Sequence, residues 1–96
     1  MATFEFEYDP NKSKSNKDKH GIGFEEAKTL WNDENALVTL AHVVDSETRY
    51  AIISKILGKC YVAIFGIREN KYRIISVRRC RKNEEDGYES FNSGTI

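Results

Sequence analysis

The sequence predicts an α+β fold in which two N-terminal helices and a short C-terminal helix pack against an antiparallel sheet. Three observations lead to this prediction. Two helical patterns lie between residues 11 and 31 of the 96-residue chain, four β-branched and aromatic runs follow closely on one another, and a single proline interrupts the sequence. Strands that follow one another after only short turns favour antiparallel hairpins, and helices before and after these strands pack across the sheet that they form. The expected element order is β-α-α-β-β-β-β-α.

The first strand and the first helix are predicted by alternation and by capping residues. Aromatic and acidic residues alternate towards the end of Thr3–Tyr8, which is typical of a strand. Asp9 and Pro10 then form a helix start, because Asp accepts backbone N–H bonds as an N-cap and Pro at the first position loses no needed donor. Gly21 is typical of the position just after a helix. A helix is therefore expected over residues 11–20.

This first helix lacks an apolar stripe that could anchor it to a core. Residues 11–20 contain no aliphatic or aromatic side chain apart from the imidazole of His20, and short isolated helices are marginal in water. We expect packing through Asn16 and the lysine stems, or the flanking sheet, to hold it. Helical spacing puts Lys12, Asn16, Lys19 and His20 on roughly one face. That face is either a solvated charged surface or one that contacts phosphate.

The remaining elements follow from helical spacing and from strand composition. Phe24, Ala27, Leu30 and Trp31 recur at helical spacing, so a second, amphipathic helix is expected from Phe24 to Trp31. β-branched and aromatic residues then predict four strands. These strands are Ala36–Ala41, Arg49–Ile56, Cys60–Ile67 and Tyr72–Val77. A short last helix is expected over residues 81–88.

Length and composition predict one small domain. Ninety-six residues, 40% of them apolar, suffice for a single modest core. Residues 1–91 are expected to form the domain and residues 92–96 a disordered tail. The apolar runs are far shorter than the roughly 20 residues of a membrane helix, and no secretory leader pattern is present, so we expect a cytoplasmic protein. Cys60 and Cys80 form no metal-type cluster and are expected to be reduced thiols.

The net charge of zero hides a segregated charge pattern. The chain has 15 Lys plus Arg and 15 Asp plus Glu. Four lysines against one aspartate give residues 11–20 a charge of +3, and seven basic residues against one glutamate give residues 68–82 a charge of +6. Two basic blocks that meet in space would attract phosphate, whatever the overall sum. The pattern indicates a nucleic-acid partner, and a single site if the two blocks lie side by side.

The sequence lacks the motifs of several large enzyme classes. It has no P-loop, no dinucleotide-binding glycine pattern, no zinc-ligand spacing and no nucleophile elbow. Two groups of candidates remain, of which the first is Lys19 with His20. The imidazole could take or give a proton near neutral pH. Alternatively, it could simply cap the end of its helix.

The second group of candidates is the set of arginines that begins at Arg68 and surrounds the last strand. Strand alternation predicts that Ser76 and Arg78 point to one side of the sheet, and that Arg73 and Arg79 point to the other. Arginines in a strand need partners. The acidic segments could supply carboxylates, or the guanidinium groups could clamp phosphate with their planar, paired donors.

Two ordered sets of residues resemble the BrnT toxin family. The N-terminal set comprises Phe6-Glu7-Tyr8-Asp9-Pro10, Lys12, Asn16, Lys19-His20-Gly21, Phe24-Glu25-Glu26-Ala27 and Asp33. The C-terminal set comprises Arg49, Arg73-Ile74-Ile75-Ser76-Val77-Arg78-Arg79, Glu84 and Tyr88. The resemblance covers about residues 4–89. Its most specific part is the pairing of Lys-His-Gly-x-x-Phe-Glu-Glu-Ala with Arg-Ile-Ile-Ser-x-Arg-Arg.

The resemblance implies a bacterial type II toxin with a RelE-like fold. Such toxins cleave RNA without a metal or other cofactor and inhibit translation. Their partner is a BrnA-like antitoxin with a ribbon-helix-helix part, and the implied complex is a toxin–antitoxin heterotetramer that binds operator DNA through the antitoxin. The residues themselves leave an alternative open, which is a non-catalytic nucleic-acid-binding or regulatory module that uses the same basic face.

Mapped onto this sequence, the resemblance implies that basic residues carry the activity. The catalytic candidates are His20, Lys19, Arg68, Arg78 and Arg79, and the RNA-binding candidates are Lys12, Arg49 and Arg73. In the expected mechanism the ribose 2′-OH attacks the adjacent phosphate, and arginine donors stabilise the charge that develops there. Lys19 or His20 would act on a proton or hydroxyl of the RNA. No metal ligands and no cofactor are expected.

Overall fold

The computed structural model describes residues 5–94 and confirms the α+β class. Five strands form one sheet, and the helices pack mainly against one of its faces. The strands are β1 (Phe6–Glu7), β2 (Leu37–Val44), β3 (Glu47–Ile56), β4 (Lys59–Arg68) and β5 (Lys71–Arg79). The helices are α1 (Pro10–His20), α2 (Phe24–Ala27), a 3-10 helix (Lys28–Asn32) and α3 (Lys82–Asn92). The 3-10 helix is an element that the predicted order lacked.

The sheet is mixed, with the strand order β1-β5-β4-β3-β2. Strands β2 to β5 form the predicted antiparallel meander. However, β1 runs parallel to β5 and pairs Phe6 with Tyr72 and Glu7 with Arg73, so the prediction of a purely antiparallel sheet is wrong. A two-residue strand is too short for its alternation to reveal the direction of its partner. Residues 3 and 4 of the predicted first strand lie outside the described residues.

A single buried amide anchors α1 to the sheet. Asn16 is buried, with only 7% of the residue exposed to solvent. Its Nδ2 donates to the carbonyls of Ile22 and Val77, both at 2.8 Å, and its Oδ1 accepts the N–H of Val77 at 3.1 Å. The amide thus pairs with the edge of β5 as a neighbouring strand would, because the pairing of β1 ends at Arg73. Of the alternatives expected to hold this helix, which were Asn16 with the lysine stems or the flanking sheet, the contact of Asn16 with the sheet is confirmed.

The second predicted helix is interrupted after one turn. The α-helical hydrogen bonds end at Ala27, and a 3-10 helix continues to Asn32, where the sequence predicts one α-helix. The hydroxyl of Thr29 donates to the carbonyl of Glu26 at 2.7 Å, and such side-chain bonds compete with the helical ladder. Leu30 remains fully buried, so the apolar face of the segment is retained.

The two faces of the sheet differ in what covers them. The main core lies on the face that packs against α1, α2 and the 3-10 helix, which we call the covered face. Its buried side chains include Phe24, Leu30, Ile52, Phe65 and Ile74. On the opposite side, α3 covers one end, where Tyr88 packs with Ala51, Ile53 and Val62. We call the remainder of this side the open face, and its members include Arg49, Gly66, Arg73, Ser76 and Arg78.

The last helix reaches further than predicted. It ends at Asn92, whose Nδ2 donates to the carbonyls of Asn35 at 3.0 Å and Tyr88 at 2.8 Å. The predicted tail therefore begins inside α3, and its last two residues, 95 and 96, lie outside the described residues. None of the helices within residues 5–94 is long and apolar enough to cross a membrane.

The two cysteines are joined, so the prediction of reduced thiols is wrong. Cys60 and Cys80 form a disulfide with their Cα atoms 5.3 Å apart, which is within the usual range for such bonds. The last β4–β5 pair is Tyr61 with Arg79; Cys60 precedes Tyr61 on β4, and Cys80 follows Arg79 directly after the end of β5. The N–H of Cys80 donates to the carbonyl of Cys60 at 2.9 Å. Spacing in the sequence cannot reveal this pairing, because it depends on the register of the hairpin.

Candidate nucleic-acid interface

The open face carries four arginines from three strands, one of which is Arg68 at the end of β4. Arg49 lies on β3, and Arg73 and Arg78 lie on β5. Arg73 pairs with Gly66 and Arg78 pairs with Val62. Positions 62 and 66 share one face of β4, because successive residues of a strand alternate. Cationic side chains thus lie on a sheet surface of which α3 covers only one end.

A β-bulge decides which arginines reach the open face. The β4–β5 pairing skips one residue of β5, Ile75. Such an extra residue reverses the alternation of the rest of the strand. Arg73 therefore shares the open face with Ser76 and Arg78, while Arg79 points towards the covered face. The prediction that Arg73 lies on the side of Arg79 is wrong for this reason, and the prediction that Ser76 accompanies Arg78 is confirmed.

Arg73 is held by a carboxylate from the neighbouring strand. Its Nη1 donates to Oε2 of Glu7 at 2.8 Å, and the two side chains are 34% and 28% exposed. Across from Arg73 on β4 is Gly66, where an added Cβ would lie 3.0 Å from Oε1 of Glu47. The carboxylate of Glu47 therefore lies over the glycine. The space beside Arg73 already accommodates an anionic group.

Arg49 and Arg68 lie near Glu47 on two adjacent strands. Arg49 is two residues from Glu47 along β3, so alternation puts both on the open face. The Nε of Arg49 is buried and has no hydrogen-bond partner among the described residues. Arg68 and Glu47 line one cavity of about 400 Å³ beside the turn that joins β2 to β3. These positions bring Arg49, Arg68 and Arg73 to one end of the open face.

Arg78 is held at the other end of the open face by α3. Its Nη1 and Nη2 donate to the two carboxylate oxygens of Glu84 at 2.8 and 2.7 Å, and Glu84 also accepts the N–H of Arg81 at 2.7 Å. The bond between the two side chains lowers the pKa of Glu84 and raises the pKa of Arg78. The interpretation that acidic segments supply carboxylate partners is therefore confirmed for Arg78 and for Arg73.

The remaining candidates lie away from the open face. The guanidinium carbon of Arg79 is 5.4 Å from the ring centroid of Tyr61, and its Nε donates to the carbonyl of Cys60 at 3.3 Å. Three further candidates are exposed on α1, namely Lys12, Lys19 and His20. α1 itself runs beside the second half of β5, through the bonds between Asn16 and Val77.

The candidates do not form one compact cluster. Arg68 pairs with Lys71 at the start of β5, and Arg78 lies seven residues further along that strand. At about 3.3 Å per residue this separation is roughly 20 Å, which is too far for both to hold one phosphate. The two basic blocks of the sequence meet only where α1 lies beside the second half of β5. Across residues 5–94, no three His, Cys, Asp or Glu side chains come together in a group that could hold a metal ion.

Two acidic residues on the open face, Glu7 and Glu47, were not among the sequence candidates. The spacing of Glu47 to Arg49 was a usable signal, since residues two apart in a strand share a face. The predicted strand began at Arg49, however, and so left Glu47 in a loop. In the structure β3 begins at Glu47. The signal was lost because strand ends are the least reliable part of such a prediction.

These features define a small α+β domain that presents arginines on an uncovered sheet face, as a protein that binds an anionic polymer would. The family model described as the ribonuclease toxin BrnT of type II toxin–antitoxin systems matches residues 8–84. The chain belongs to this family of ribonuclease toxins, and the resemblance seen in the sequence is confirmed. Membership implies an RNA substrate and an antitoxin partner. Among curated proteins, none matches the chain.

Proposed function

We propose that this protein is an endoribonuclease toxin that cleaves RNA without a metal ion and so inhibits translation. The family supports the toxin class. The observation that carries the mechanism is the grouping of Arg49, Arg68 and Arg73 at one end of the open face. Guanidinium groups suit a phosphodiester, because they offer paired donors and a permanent charge. The functional unit would be a single domain of residues 1–91 with a RelE-like fold.

The proposed reaction uses the ribose of the substrate as the nucleophile. The 2′-oxygen attacks the adjacent phosphorus and the bond to the 5′-oxygen breaks, which leaves a 2′,3′-cyclic phosphate and a 5′-hydroxyl. Negative charge grows on the phosphate oxygens in the transition state, and preorganised donors aimed at that charge are commonly the largest catalytic factor. Arg49 and Arg73 are two strands apart, or about 10 Å between backbones. Their side chains can therefore approach one phosphate from two sides.

The other cationic residues would bind the RNA chain around that phosphate. Arg78 extends the open face towards α3 and would contact a neighbouring phosphate. Lys12 and Arg79 would do so where the RNA crosses the edge of β5. Lys19 and His20 are the groups that the sequence suggests for proton transfer, and they would act only if the scissile bond lay against α1.

The proposed partner is a BrnA-like antitoxin with a ribbon-helix-helix part, in a heterotetramer that binds operator DNA through the antitoxin. The antitoxin would inhibit by covering the arginines of the open face. An acidic segment suits this role, because Arg73 and Arg78 already bind carboxylates within the chain. We place the pair in the cytoplasm, where both RNA and operator DNA are accessible.

Incubation of the purified protein with RNA in EDTA tests the proposal. We expect cleavage that leaves 2′,3′-cyclic phosphate ends, and Arg73→Ala should lower the rate by about a hundredfold. The matched control is Arg81→Ala, which removes an exposed arginine outside the open face. Activity that vanishes in EDTA and returns with magnesium would contradict the metal-free mechanism. Salt-sensitive RNA binding without cleavage would instead support the non-catalytic module.

A further inference from the structure

Glu47 is a carboxylate of the open face that is available to a substrate. Its side chain makes no hydrogen bond or ion pair within residues 5–94, whereas Glu7 is paired with Arg73 and Glu84 of α3 is paired with Arg78. Its Oε1 lies over Gly66, 3.0 Å from where a Cβ would be. An exposed carboxylate next to arginines has its lone pairs free to accept a proton.

A second β-bulge turns His42 onto the open face. The β2–β3 pairing joins Leu40 with Tyr50 and then His42 with Arg49, so Ala41 is an extra residue. Leu40 shares the side of Tyr50, and without the extra residue His42 would share it too. Instead His42 is the direct partner of Arg49, and paired side chains point to the same face with Cβ atoms about 5 Å apart. Bulges next to active sites commonly redirect a side chain in this way.

Arg49 is therefore flanked on the open face by a potential acid and a potential base. His42 lies across from it on β2, and the carboxylate of Glu47 lies over Gly66 of β4, on the other side of β3. A phosphate held by Arg49 would have the two groups on different sides. In-line displacement requires this arrangement, because the attacking and leaving oxygens are on opposite sides of the phosphorus.

We propose that Glu47 is the general base and His42 the general acid of the RNA cleavage, an inference that rests on the function proposed above. The carboxylate of Glu47 takes the proton of the 2′-OH while the 2′-oxygen forms its bond to phosphorus. The imidazolium of His42 gives its proton to the 5′-oxygen as the phosphorus–oxygen bond breaks. The products are a neutral carboxyl group and a neutral imidazole, and proton exchange with water restores both. Arg49 donates to the phosphate oxygens throughout.

This assignment moves proton transfer from α1 to the β2–β3 hairpin. The chain contains two histidines, and they lie on different elements. His20 is at the end of α1, beside β5, whereas His42 is directly across from Arg49. The two assignments therefore make opposite predictions for single histidine variants.

Glu47→Gln tests the base. It keeps the shape of the side chain but cannot accept the proton, so the cleavage rate should fall at least about a hundredfold. Binding of a 2′-O-methyl RNA, which cannot be cleaved because its 2′-oxygen carries no proton, should stay within about threefold of the wild type. Glu34→Gln is the matched control, since Glu34 is also an exposed glutamate and lies away from the open face. Equal rates for the two variants would overturn the role of Glu47.

His42→Gln tests the acid in the same assay, with Thr39→Ala as a control on the same face of β2. The rate should again fall about a hundredfold with little change in RNA binding. An unchanged rate in His42→Gln, together with a large loss in His20→Gln, would overturn the assignment in favour of α1. Thermal melting checks that each variant is folded. Gly66→Ala adds a second test with both residues in place, because its methyl group would displace the Glu47 carboxylate, and the rate should fall about tenfold.

The pH dependence of the rate separates the two roles. A base and an acid together give a bell-shaped profile. Glu47→Gln should remove the fall on the acidic side, and His42→Gln should remove the fall on the alkaline side. The charged groups that face this pair are Arg49, Arg68, Lys71 and Arg73 together with Glu7, which is bonded to Arg73. If the wild type fails to cleave RNA, the proposed function itself is wrong. If the wild type cleaves and both variants keep its profile, the acid–base assignment alone is wrong.

Discussion

The phenol of Tyr88 donates a 2.7 Å hydrogen bond to Oδ2 of Asp33, and this bond fastens α3 to the end of the 3-10 helix. The same oxygen accepts the hydroxyl of Ser54 and the N–H of Lys55, both at 3.0 Å. Burial would raise the pKa of Asp33, but the hydrogen bonds outweigh it and the pKa is lowered. Two residues that carry the resemblance to the family thus have a structural role, which is to hold α3 against β3.

Tyr88→Phe should lower the free energy of unfolding by about 1 kcal/mol near pH 7, because it removes one buried hydrogen bond. Burial, and then the bond to Asp33, raise the pKa of Tyr88 to about 12. The pKa of Tyr88 is higher in the folded state than its ordinary value of about 10. The contribution of Tyr88 to stability is therefore complete below about pH 10 and is lost as the pH rises from there towards about 12. Urea unfolding near pH 7 and near pH 11 measures the effect.

Tyr61→Phe is the control for this prediction, since the hydroxyl of Tyr61 makes no hydrogen bond within residues 5–94. The wild type should lose stability between about pH 10 and pH 12, and Tyr88→Phe should lose less over the same range. Equal losses for the wild type and Tyr88→Phe would show that the titration of Tyr88 is not coupled to folding.

Glu84→Gln should destabilise the protein by about 1–2 kcal/mol at neutral pH, because a partly buried arginine loses its charged partner. The side chains of Arg78 and Glu84 are 30% and 19% exposed. The bond to Arg78 lowers the pKa of Glu84. The contribution is therefore present above about pH 4.3, the ordinary value for Glu, and is lost as the pH falls through the folded-state pKa. The difference between wild type and variant, measured by thermal melting, should shrink as the solution is acidified.

Asp86→Asn is the control for Glu84→Gln. Asp86 pairs with Lys82 along α3, where the two side chains are 61% and 90% exposed, and such surface pairs contribute little. Its melting curve should match that of the wild type at neutral pH. A Glu84→Gln variant that behaves like Asp86→Asn at every pH would contradict a stabilising role for the Arg78–Glu84 pair.

The sequence predicts correctly those features that depend only on residues close together in the chain. The carboxylate of Asp9 accepts the N–H of Asn11 at 2.8 Å, and Gly21 ends α1 with φ of 74°, as the capping pattern predicts. The four strands of the meander also follow from their own composition. The anchoring of α1 by Asn16 was predictable for a related reason, since that helix offers no apolar side chain to a core.

Sequence reasoning failed where the answer depends on register. The side of Arg73 is set by one extra residue in β5, and the side of His42 by one extra residue in β2. The disulfide between Cys60 and Cys80 likewise requires that the two residues be opposite each other across a hairpin. Alternation in a single strand does not encode an insertion relative to its partner. The candidate acid His42 was missed for this reason, whereas the candidate base Glu47 was missed because the predicted strand began two residues too late.

Asn16→Ala should lower the free energy of unfolding by about 2–4 kcal/mol, because it leaves the buried N–H and carbonyl of Val77 without their side-chain partner. Asn11→Ala is the matched control, since Asn11 is an exposed asparagine on the same helix. Chemical denaturation of both variants gives the comparison. Similar stabilities would show that α1 is held to β5 by something other than the Asn16 amide.

Arg49→Ala should weaken the binding of a 2′-O-methyl RNA about tenfold and reduce the slope of log affinity against log salt by about one, as the loss of one phosphate contact does. Arg49→Lys should bind with intermediate affinity, because lysine keeps the charge but not the paired donors. Arg81→Ala removes the same charge from the start of α3 and should change the affinity much less. Filter binding at several salt concentrations measures all three variants. If Arg81→Ala weakened binding as much as Arg49→Ala, affinity would follow net charge alone, and the assignment of the open face as the RNA-binding surface would be wrong.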